Sequence, residues 1–267
     1  MLSLSTRVSN PQRMVGKLEE SGILVYYPYT YSMGELLRYY VVTNRHVIEK
    51  MEKPFLRVNN RDGQFEVIET NRNRWRNHPE GDDLAALPFH EFNPSRHPIP
   101  AVHANSAFPR NAISDYDIGI GDAVAMIGRL IGHDGKVKNN PIARFGSIAM
   151  LPGDGIENMF GIEQETFLID SQSIPGFSGS PVFLFLDPTT RSKGGHTGVG
   201  PWLLGMDWLH VHNVEYVRDR NGLPIRDGEH VRANTGVAGV IPAWRIMALL
   251  QTFDDDEKHR QERLHDA

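Results

Sequence analysis

Short apolar runs, separated by glycine, proline and polar residues, recur along the whole chain of 267 residues. The runs are rich in β-branched and aromatic residues, which is typical of buried strands. In the first half they predict strands at residues 22–27, 38–43, 55–58, 65–68 and 84–89. Asp62-Gly63 is a favourable turn between the third and fourth runs, and Pro28 is expected to end the first. Residues 1–21 are mostly polar, so we expect a loop or a short helix there.

The second half repeats this pattern after a proline-rich connection at residues 90–117. Its apolar runs predict strands at residues 123–127, 142–150, 166–170, 181–186, 202–210 and 236–241. The stretches 186–201 and 211–235 are expected to be loops, because they are polar and contain many turn-forming residues. About a dozen short strands indicate an all-β barrel protein.

The sequence predicts one helix, near the end of the chain. Pro242 suits a first helical position. The apolar residues that follow have helical spacing and share one face: Ile246, Leu249, Leu250 and Phe253. An acidic run at residues 254–257 is expected to be the solvated end of this helix.

Composition narrows the functional classes. The chain has 28 Lys and Arg against 33 Asp and Glu, and its net charge of -5 argues against non-specific nucleic-acid binding. It has no cysteine, which excludes disulfides, a thiol nucleophile and a cysteine-ligated zinc site. It also lacks an apolar run of membrane-spanning length and, at its N-terminus, the apolar core of a secretion signal. We therefore expect a cytoplasmic protein with neither a membrane partner nor a cofactor.

Two minor patterns have competing interpretations. Residues 72–77 mix arginine with tryptophan, as nucleic-acid grooves do, but a solvated loop is the simpler interpretation. His210 and His212 would share one face of a strand, and with His196 or His230 could bind a metal. Because no third ligand is fixed by spacing, we expect no metal site.

The strongest chemical signal is the segment Gly176-x-Ser178-Gly179-x-Pro181. Flanking glycines allow a tight turn and leave room for a substrate carbonyl above the serine. The backbone N–H groups of Gly176 and Ser178 could then point into one small volume and stabilise an oxyanion. Ser178 is thus a candidate nucleophile, although a tight turn alone would explain the glycines.

A serine nucleophile needs a base, and the base needs an orienting group. His46 follows a predicted strand and is the candidate base; Asp83 precedes another strand and is the candidate orienting acid. Asp82, its neighbour, is a less favoured alternative. Each of these residues has an ordinary structural interpretation alone, and the hypothesis depends on the three together in the order His, Asp, Ser.

Three segments carry a family resemblance: VTNRHVI at 42–48, DDLAALPF at 82–89 and PGFSGSPV at 175–182. They resemble the three signatures of trypsin-like (chymotrypsin-fold) serine peptidases, and most closely the disulfide-free bacterial Deg-type proteases. The resemblance implies two Greek-key, six-stranded β-barrels packed face to face, with a C-terminal helix. The whole chain would be one peptidase domain, with barrels at about 15–110 and 118–241 and the helix and tail at 242–267.

The resemblance also implies a function, namely peptide-bond hydrolysis through an acyl-enzyme, with His46, Asp83 and Ser178 as the triad. Gly176 and Ser178 would form the oxyanion hole. The substrate pocket would use four further residues: Gln172, Met206, Asp207 and Trp208. The expected partner is a polypeptide substrate, and activation by a partner protein is left open.

The sequence departs from the family pattern beside the nucleophile. Phe177 stands where the family usually has a small or polar residue, and Ser180 stands where it usually has glycine. Both positions flank the proposed oxyanion hole. The alternative hypothesis is therefore a catalytically silent peptide-binding module on the same fold.

Overall fold

A computed structural model describes residues 2–5, 19–31, 34–130, 135, 137–174, 176–186, 201–225 and 229–265. The strands of the first half are β1 Leu2–Ser5, β2 Glu19–Tyr31, β3 Gly34–Thr43, β4 Phe55–Asn59, β5 Phe65–Glu69, β6 Arg76–Asn77, β7 Ala85–Pro88 and β8 Val102–His103. The strands of the second half are β9 Ala123–Gly128, β10 Ile142–Met150, β11 Ile156–Glu157, β12 Glu163–Gln164, β13 Phe167–Asp170, β14 Pro181–Leu184, β15 Trp202–Tyr216 and β16 His230–Pro242. The helices are α1 Arg45–Glu49, α2 Ala112–Asp115 and α3 Ala243–His265.

The first half forms a sheet in the order β5-β4-β1-β2-β3-β7-β6, with β8 added in parallel to β2. β1 pairs with both β2 and β4, so the expected loop or helix at the N-terminus is instead a strand there. Pro28 does not end β2, since it pairs with Leu37 of β3. β8 pairs with β2 only at Val25 and Tyr26. Pro28 lies beyond this pairing, so its lack of a backbone N–H is tolerated there.

The second half forms a closed barrel in the order β10-β13-β16-β15-β14-β9. All six predicted strands of this half are present. The expected loop at residues 211–235 is wrong for about half of its length, because β15 continues to Tyr216 and β16 begins at His230. The two strands pair with each other as a ribbon, from His212 opposite Asn234 to Tyr216 opposite His230. The expected loop at 186–201 falls largely outside the described residues.

The fold class is therefore all-β with a C-terminal helix, as predicted. The second half is the expected six-stranded barrel. The first half differs from the expected six-stranded barrel in strand number, since its described residues form an eight-stranded sheet. The connection between the halves includes β8, α2 and a short 3-10 turn at Ala104–Ser106.

Helix α3 packs across both halves. Ile246, Leu249 and Leu250 are buried in one cluster with Ile23 of β2 and Leu203 of β15. The helix begins at Ala243, one residue after the proline expected to start it. Neither α3 nor any other helix in the described part of the chain has the length and apolar character of a membrane span.

The acidic run on α3 is not simply solvated, as was expected. Asp254 is buried and lies 3.5 Å from Arg38, whereas Asp256 is exposed and pairs with Arg76. The same arginine stacks on Phe253, with its guanidinium 4.1 Å from the ring centroid. These contacts attach the middle of the helix to the first half of the molecule.

Residues 72–77 do not form a basic groove. Trp75 is buried in the first hydrophobic cluster, and its indole N–H donates to Thr70 Oγ1 at 3.1 Å. Arg74 pairs with Glu91 at 2.7 Å, and Arg76 pairs with Asp256. The solvated-loop interpretation is also incomplete, because the tryptophan belongs to the core.

Candidate active site

His46 and Asp83 lie together between two strands of the first half. β3 ends at Thr43 and the chain turns into α1, which buries His46. His46 Nδ1 lies 2.6 Å from Asp83 Oδ2, and the backbone N–H of His46 donates to Asp83 Oδ1 at 2.8 Å. One carboxyl group therefore fixes both the ring and the backbone of the histidine.

Asp82, the alternative acid, points elsewhere. Its carboxylate accepts a hydrogen bond from Arg245 Nε on α3, and His78 Nδ1 lies 3.5 Å from it. Burial lowers the pKa of the His78 ring, although Asp82 opposes that shift. The structure thus brings Asp83, and not Asp82, to His46.

The acid is also held by residues that the sequence analysis missed. The backbone N–H of Asp83 donates to Gln164 Oε1 at 2.8 Å, and Asn158 Nδ2 donates to the same oxygen at 2.8 Å. Asn44 Nδ2 donates to the carbonyl of Asp83 at 3.0 Å. Gln164 lies 81 positions further along the chain, and no spacing in the sequence indicates its contact with Asp83.

The nucleophile loop connects β13 to β14 and is fixed against β2. The N–H of Ser21 donates to the carbonyl of Ser178 at 2.9 Å, and the Ser21 hydroxyl donates to the carbonyl of Gly176 at 2.9 Å. Gly179 has a φ of 83°, and a Cβ there would lie 2.1 Å from the Ser21 carbonyl oxygen. Only glycine fits so close an approach.

The two departures from the family pattern have structural explanations. Phe177 is fully buried in the core of the second barrel, where its ring covers Gly128. A Cβ on Gly128 would lie 2.2 Å from that ring, so the two residues are matched in size. Ser180 is also fully buried, and its hydroxyl has no partner among the described residues. Phe177 therefore anchors the loop from below.

His46, Asp83, Gly176 and Ser178 all line one cleft of about 590 Å³. Its remaining walls come from both halves of the molecule: Glu20, Lys50, Glu157, Met159, Trp208, Leu209, His210, His212 and Arg232. The cleft therefore joins all the residues predicted for the triad and the oxyanion hole.

The predicted substrate pocket is placed differently. Of its four residues, Trp208 alone lines this cleft. Gln172 is exposed, and Arg144 Nη1 lies 3.4 Å from its side-chain oxygen. Met206 is buried in the cluster shared with α3. Two further walls, His212 and Arg232, belong to the β15–β16 ribbon in the stretch that had been expected to be a loop.

Asp207, the fourth predicted pocket residue, lies behind the nucleophile loop. Its backbone exchanges hydrogen bonds of 2.9 Å with Gly179 and Ser180, and Ser173 Oγ donates to its Oδ2 at 2.8 Å. Its Oδ1 is buried without a partner among the described residues. Burial raises the pKa of this carboxyl well above its usual range, and the nearby Glu20 raises it further.

The histidines of the cleft do not form a metal centre. The rings of His210 and His212 are 6.2 Å apart, and burial lowers the pKa of His210 to about 4. His230 pairs with Tyr216 at the far end of the ribbon, and His196 lies outside the described residues. The described part of the chain contains no group of three or more His, Asp or Glu side chains arranged to hold a metal.

A further carboxyl group faces the candidate oxyanion hole. Glu20, on β2, lines the cleft, and the backbone N–H of Gly176 donates a hydrogen bond to its carboxyl group. Burial raises the pKa of Glu20, whereas His46 and Lys50 lower it. The sequence analysis assigned no role to this residue.

Comparison with known proteins gives evidence on the fold. No protein-family model and no curated protein matches the chain. Among solved structures, the MamO protease domain of Magnetospirillum magneticum aligns with a TM-score of 0.52 and 13% identity, over 92% of this chain and 93% of that one. The chain has the chymotrypsin fold. The cleft that the triad candidates line has walls from both halves of this fold.

Two other solved structures align less closely. The Rv3671c protease of M. tuberculosis, in its active form, has a TM-score of 0.47 and 17% identity over 94% of this chain and 78% of that one. Deg5 has a TM-score of 0.45 and 17% identity over 78% of each chain. A likeness at these identities does not establish a function, which has to be argued from the site.

Proposed function

We propose that the chain is a serine endopeptidase that hydrolyses peptide bonds through an acyl-enzyme. The double contact of Asp83 with His46, in the cleft that also contains Ser178, carries this proposal. Ser178 Oγ attacks the substrate carbonyl carbon while His46 accepts the hydroxyl proton. His46 then donates that proton to the leaving amine, and Asp83 holds the ring and stabilises the imidazolium.

The second half of the reaction repeats these roles with water. His46 takes a proton from water, whose oxygen attacks the acyl carbon, and the proton returns to Ser178 as the ester bond breaks. In both halves the N–H groups of Gly176 and Ser178 would stabilise the tetrahedral oxyanion. The rigid attachment of the loop to Ser21 and to the core through Phe177 supports such a fixed arrangement.

The substrate we propose is a polypeptide in extended conformation. Trp208, Leu209 and His210 belong to β15 and form one wall of the cleft, beside the nucleophile. A strand in this position offers both backbone groups and side chains to an extended chain. The other walls carry charges of both signs, including Arg232 and Glu157.

The proposal is tested by labelling the folded protein with a fluorophosphonate probe, which reacts with activated serines. We expect modification at Ser178, located by mass spectrometry of the labelled peptide, and none in Ser178→Ala. Ser171→Ala is the matched control, because Ser171 is buried close by on the same barrel and its hydroxyl has no partner among the described residues. This variant is expected to label like the wild type.

Labelling should be followed by hydrolysis of fluorescent casein, with the same three proteins. Loss of turnover in Ser178→Ala alone would agree with the proposal. If no variant of the folded protein labels at Ser178, the endopeptidase proposal fails. The catalytically silent peptide-binding module would then be the better hypothesis, and casein peptides should bind without being cleaved.

A further inference from the structure

Glu20 lines the same cleft as Gly176 and Ser178, the two candidate donors of the oxyanion hole. The residue lies near the start of β2, next to Ser21, which holds the nucleophile loop. The N–H of Gly176 that should face the oxyanion donates instead to the carboxyl group of Glu20. A carboxyl oxygen in this position resembles the oxygen of the tetrahedral intermediate in charge and in hydrogen bonding.

This contact competes with catalysis. The oxyanion hole has two candidate donors, and one of them is engaged by the protein's own side chain. Because donors act on the transition state only when they are free to meet the developing charge, a substrate must first displace the carboxyl group. Displacing the carboxyl group requires a movement of the Glu20 side chain.

The hydrogen bonding of the Glu20 carboxyl group is incomplete. Its Oε2 is shielded from solvent and has no hydrogen-bond partner among the described residues. Three cationic or titratable groups face it, His46 on α1, Lys50 after α1 and Arg129 after β9. The buried Asp207 lies close enough for Glu20 to raise the pKa of its carboxyl group. A buried carboxylate with one orphaned oxygen is costly, and Lys50 is exposed at the rim of the cleft. The side chain therefore has an alternative partner outside the hole.

We propose that Glu20 is a self-inhibitory residue, whose carboxyl group blocks the Gly176 donor of the oxyanion hole until substrate displaces it. This inference rests on the proposed endopeptidase function and concerns the regulation of the same site. Ligands that draw Glu20 towards Lys50, or that pair with its carboxylate, would activate the enzyme. Substrates with a basic side chain beside the scissile bond would also favour the open arrangement.

The test compares Glu20→Ala and Glu20→Gln with the wild type in fluorophosphonate labelling and in peptide hydrolysis. A hydrogen bond to a charged group is worth enough to change a rate by at least about tenfold, so Glu20→Ala should label and turn over at least about tenfold faster. Glu20→Gln, which keeps an oxygen but loses the charge, should lie between the two. Thermal unfolding of each variant checks that the fold is intact.

Glu157→Gln is the matched control, because it removes the same charge from the same cleft at a different position. Its effect measures what the loss of a negative charge from the cleft wall does when no bond to Gly176 is removed, and the increase in Glu20→Ala should exceed it clearly. The double variant Glu20→Ala with Ser178→Ala must lose all labelling, which shows that the gain comes from the proposed nucleophile.

The outcomes separate the two proposals. If the wild type and Glu20→Ala label at equal rates, or if Glu157→Gln gives the same increase, the self-inhibitory role is wrong while the endopeptidase function stands. If neither the wild type nor folded Glu20→Ala labels at Ser178, the proposed function itself fails. If Glu20→Ala labels and the wild type hardly does, both proposals are supported.

Discussion

The surroundings of Asp207 would do little to stabilise a charge on its carboxyl group. It accepts one side-chain hydrogen bond, from Ser173, and its second oxygen is buried without a partner among the described residues. Burial raises the pKa of its carboxyl group well above its usual range, and Glu20 adds to that shift. The folded protein therefore favours the protonated acid.

The raised pKa of Asp207 predicts a pH-dependent stability. Between the ordinary aspartate pKa and the raised one, the folded state binds more protons than the unfolded state, so stability falls as pH rises through that window. Asp207→Asn keeps an acceptor for Ser173 but does not ionise. We expect the variant to gain stability relative to the wild type as pH rises from 4 to 8, measured by urea denaturation.

Asp62→Asn, in the exposed turn between β4 and β5, is the control for loss of an acidic side chain at the surface. Its stability should differ from that of the wild type by a nearly constant amount over the same pH range. Parallel curves for Asp207→Asn and the wild type would contradict the prediction, because they would show that Asp207 titrates alike in both states.

At the scale of single residues, the sequence predicts what depends on local spacing. His46, Asp83 and Ser178 each stand in a short segment with a recognisable pattern, and all three line one cleft in the structure. Glu20 and Gln164 act through contacts with residues far along the chain, so no local pattern indicates them. The preference for Asp83 over Asp82 came from the family resemblance, and the contacts of the two acids agree with it.

The β11–β12 hairpin is the element that connects the second half to the candidate acid. Asn158, at its turn, accepts hydrogen bonds from the N–H groups of Phe160 and Ile162 and donates to Gln164. Phe160 lies under the guanidinium of Arg45, 3.9 Å from the ring centroid. The hairpin is thus ordered by its own hydrogen bonds and presents Gln164 Oε1 to the backbone of Asp83.

We predict that Gln164→Met impairs catalysis more than binding. Methionine matches the length of glutamine but has no acceptor, so the buried N–H of Asp83 loses its partner and the acid shifts relative to His46. We expect kcat for peptide hydrolysis to fall about tenfold or more, as for a lost transition-state interaction, with KM nearly unchanged. Gln251→Met, on the exposed face of α3, is the control. A change in KM alone would contradict a positioning role for Gln164.

At the scale of elements, the apolar pattern predicts strands that contribute buried residues to a core and fails where pairing alone makes the strand. The runs at 142–150 and 202–210 lie in β10 and β15, which contribute Ile148 and Leu204 to the core of the second barrel. The outer part of the β15–β16 ribbon is largely exposed and polar, so its strands have no hydrophobic signal. β1 is too short to show a period, although Leu2 and Leu4 are both fully buried.

The whole molecule is connected by a hydrophobic cluster that belongs to neither half alone. Residues of β2 and β3, of β15 and β16, and of α3 contribute to it. Leu249 is fully buried within this cluster, and Tyr40 of β3 packs on Phe253, with ring centroids 5.2 Å apart. The cleft has walls from the same two halves, so we expect the packing of α3 to hold its two sides together.

This shared cluster predicts that the two halves unfold together. Leu249→Ala leaves a cavity where both halves meet the helix, and such a substitution costs about 2–5 kcal/mol. We expect urea unfolding, followed by tryptophan fluorescence and by far-UV circular dichroism, to shift to lower denaturant as one transition, with both signals changing together. Leu223→Ala, at a position with 63% exposure, should leave the midpoint almost unchanged. Two separated transitions in Leu249→Ala would show instead that each half is stable without the helix, and that the cleft is held by other contacts such as those of Ser21.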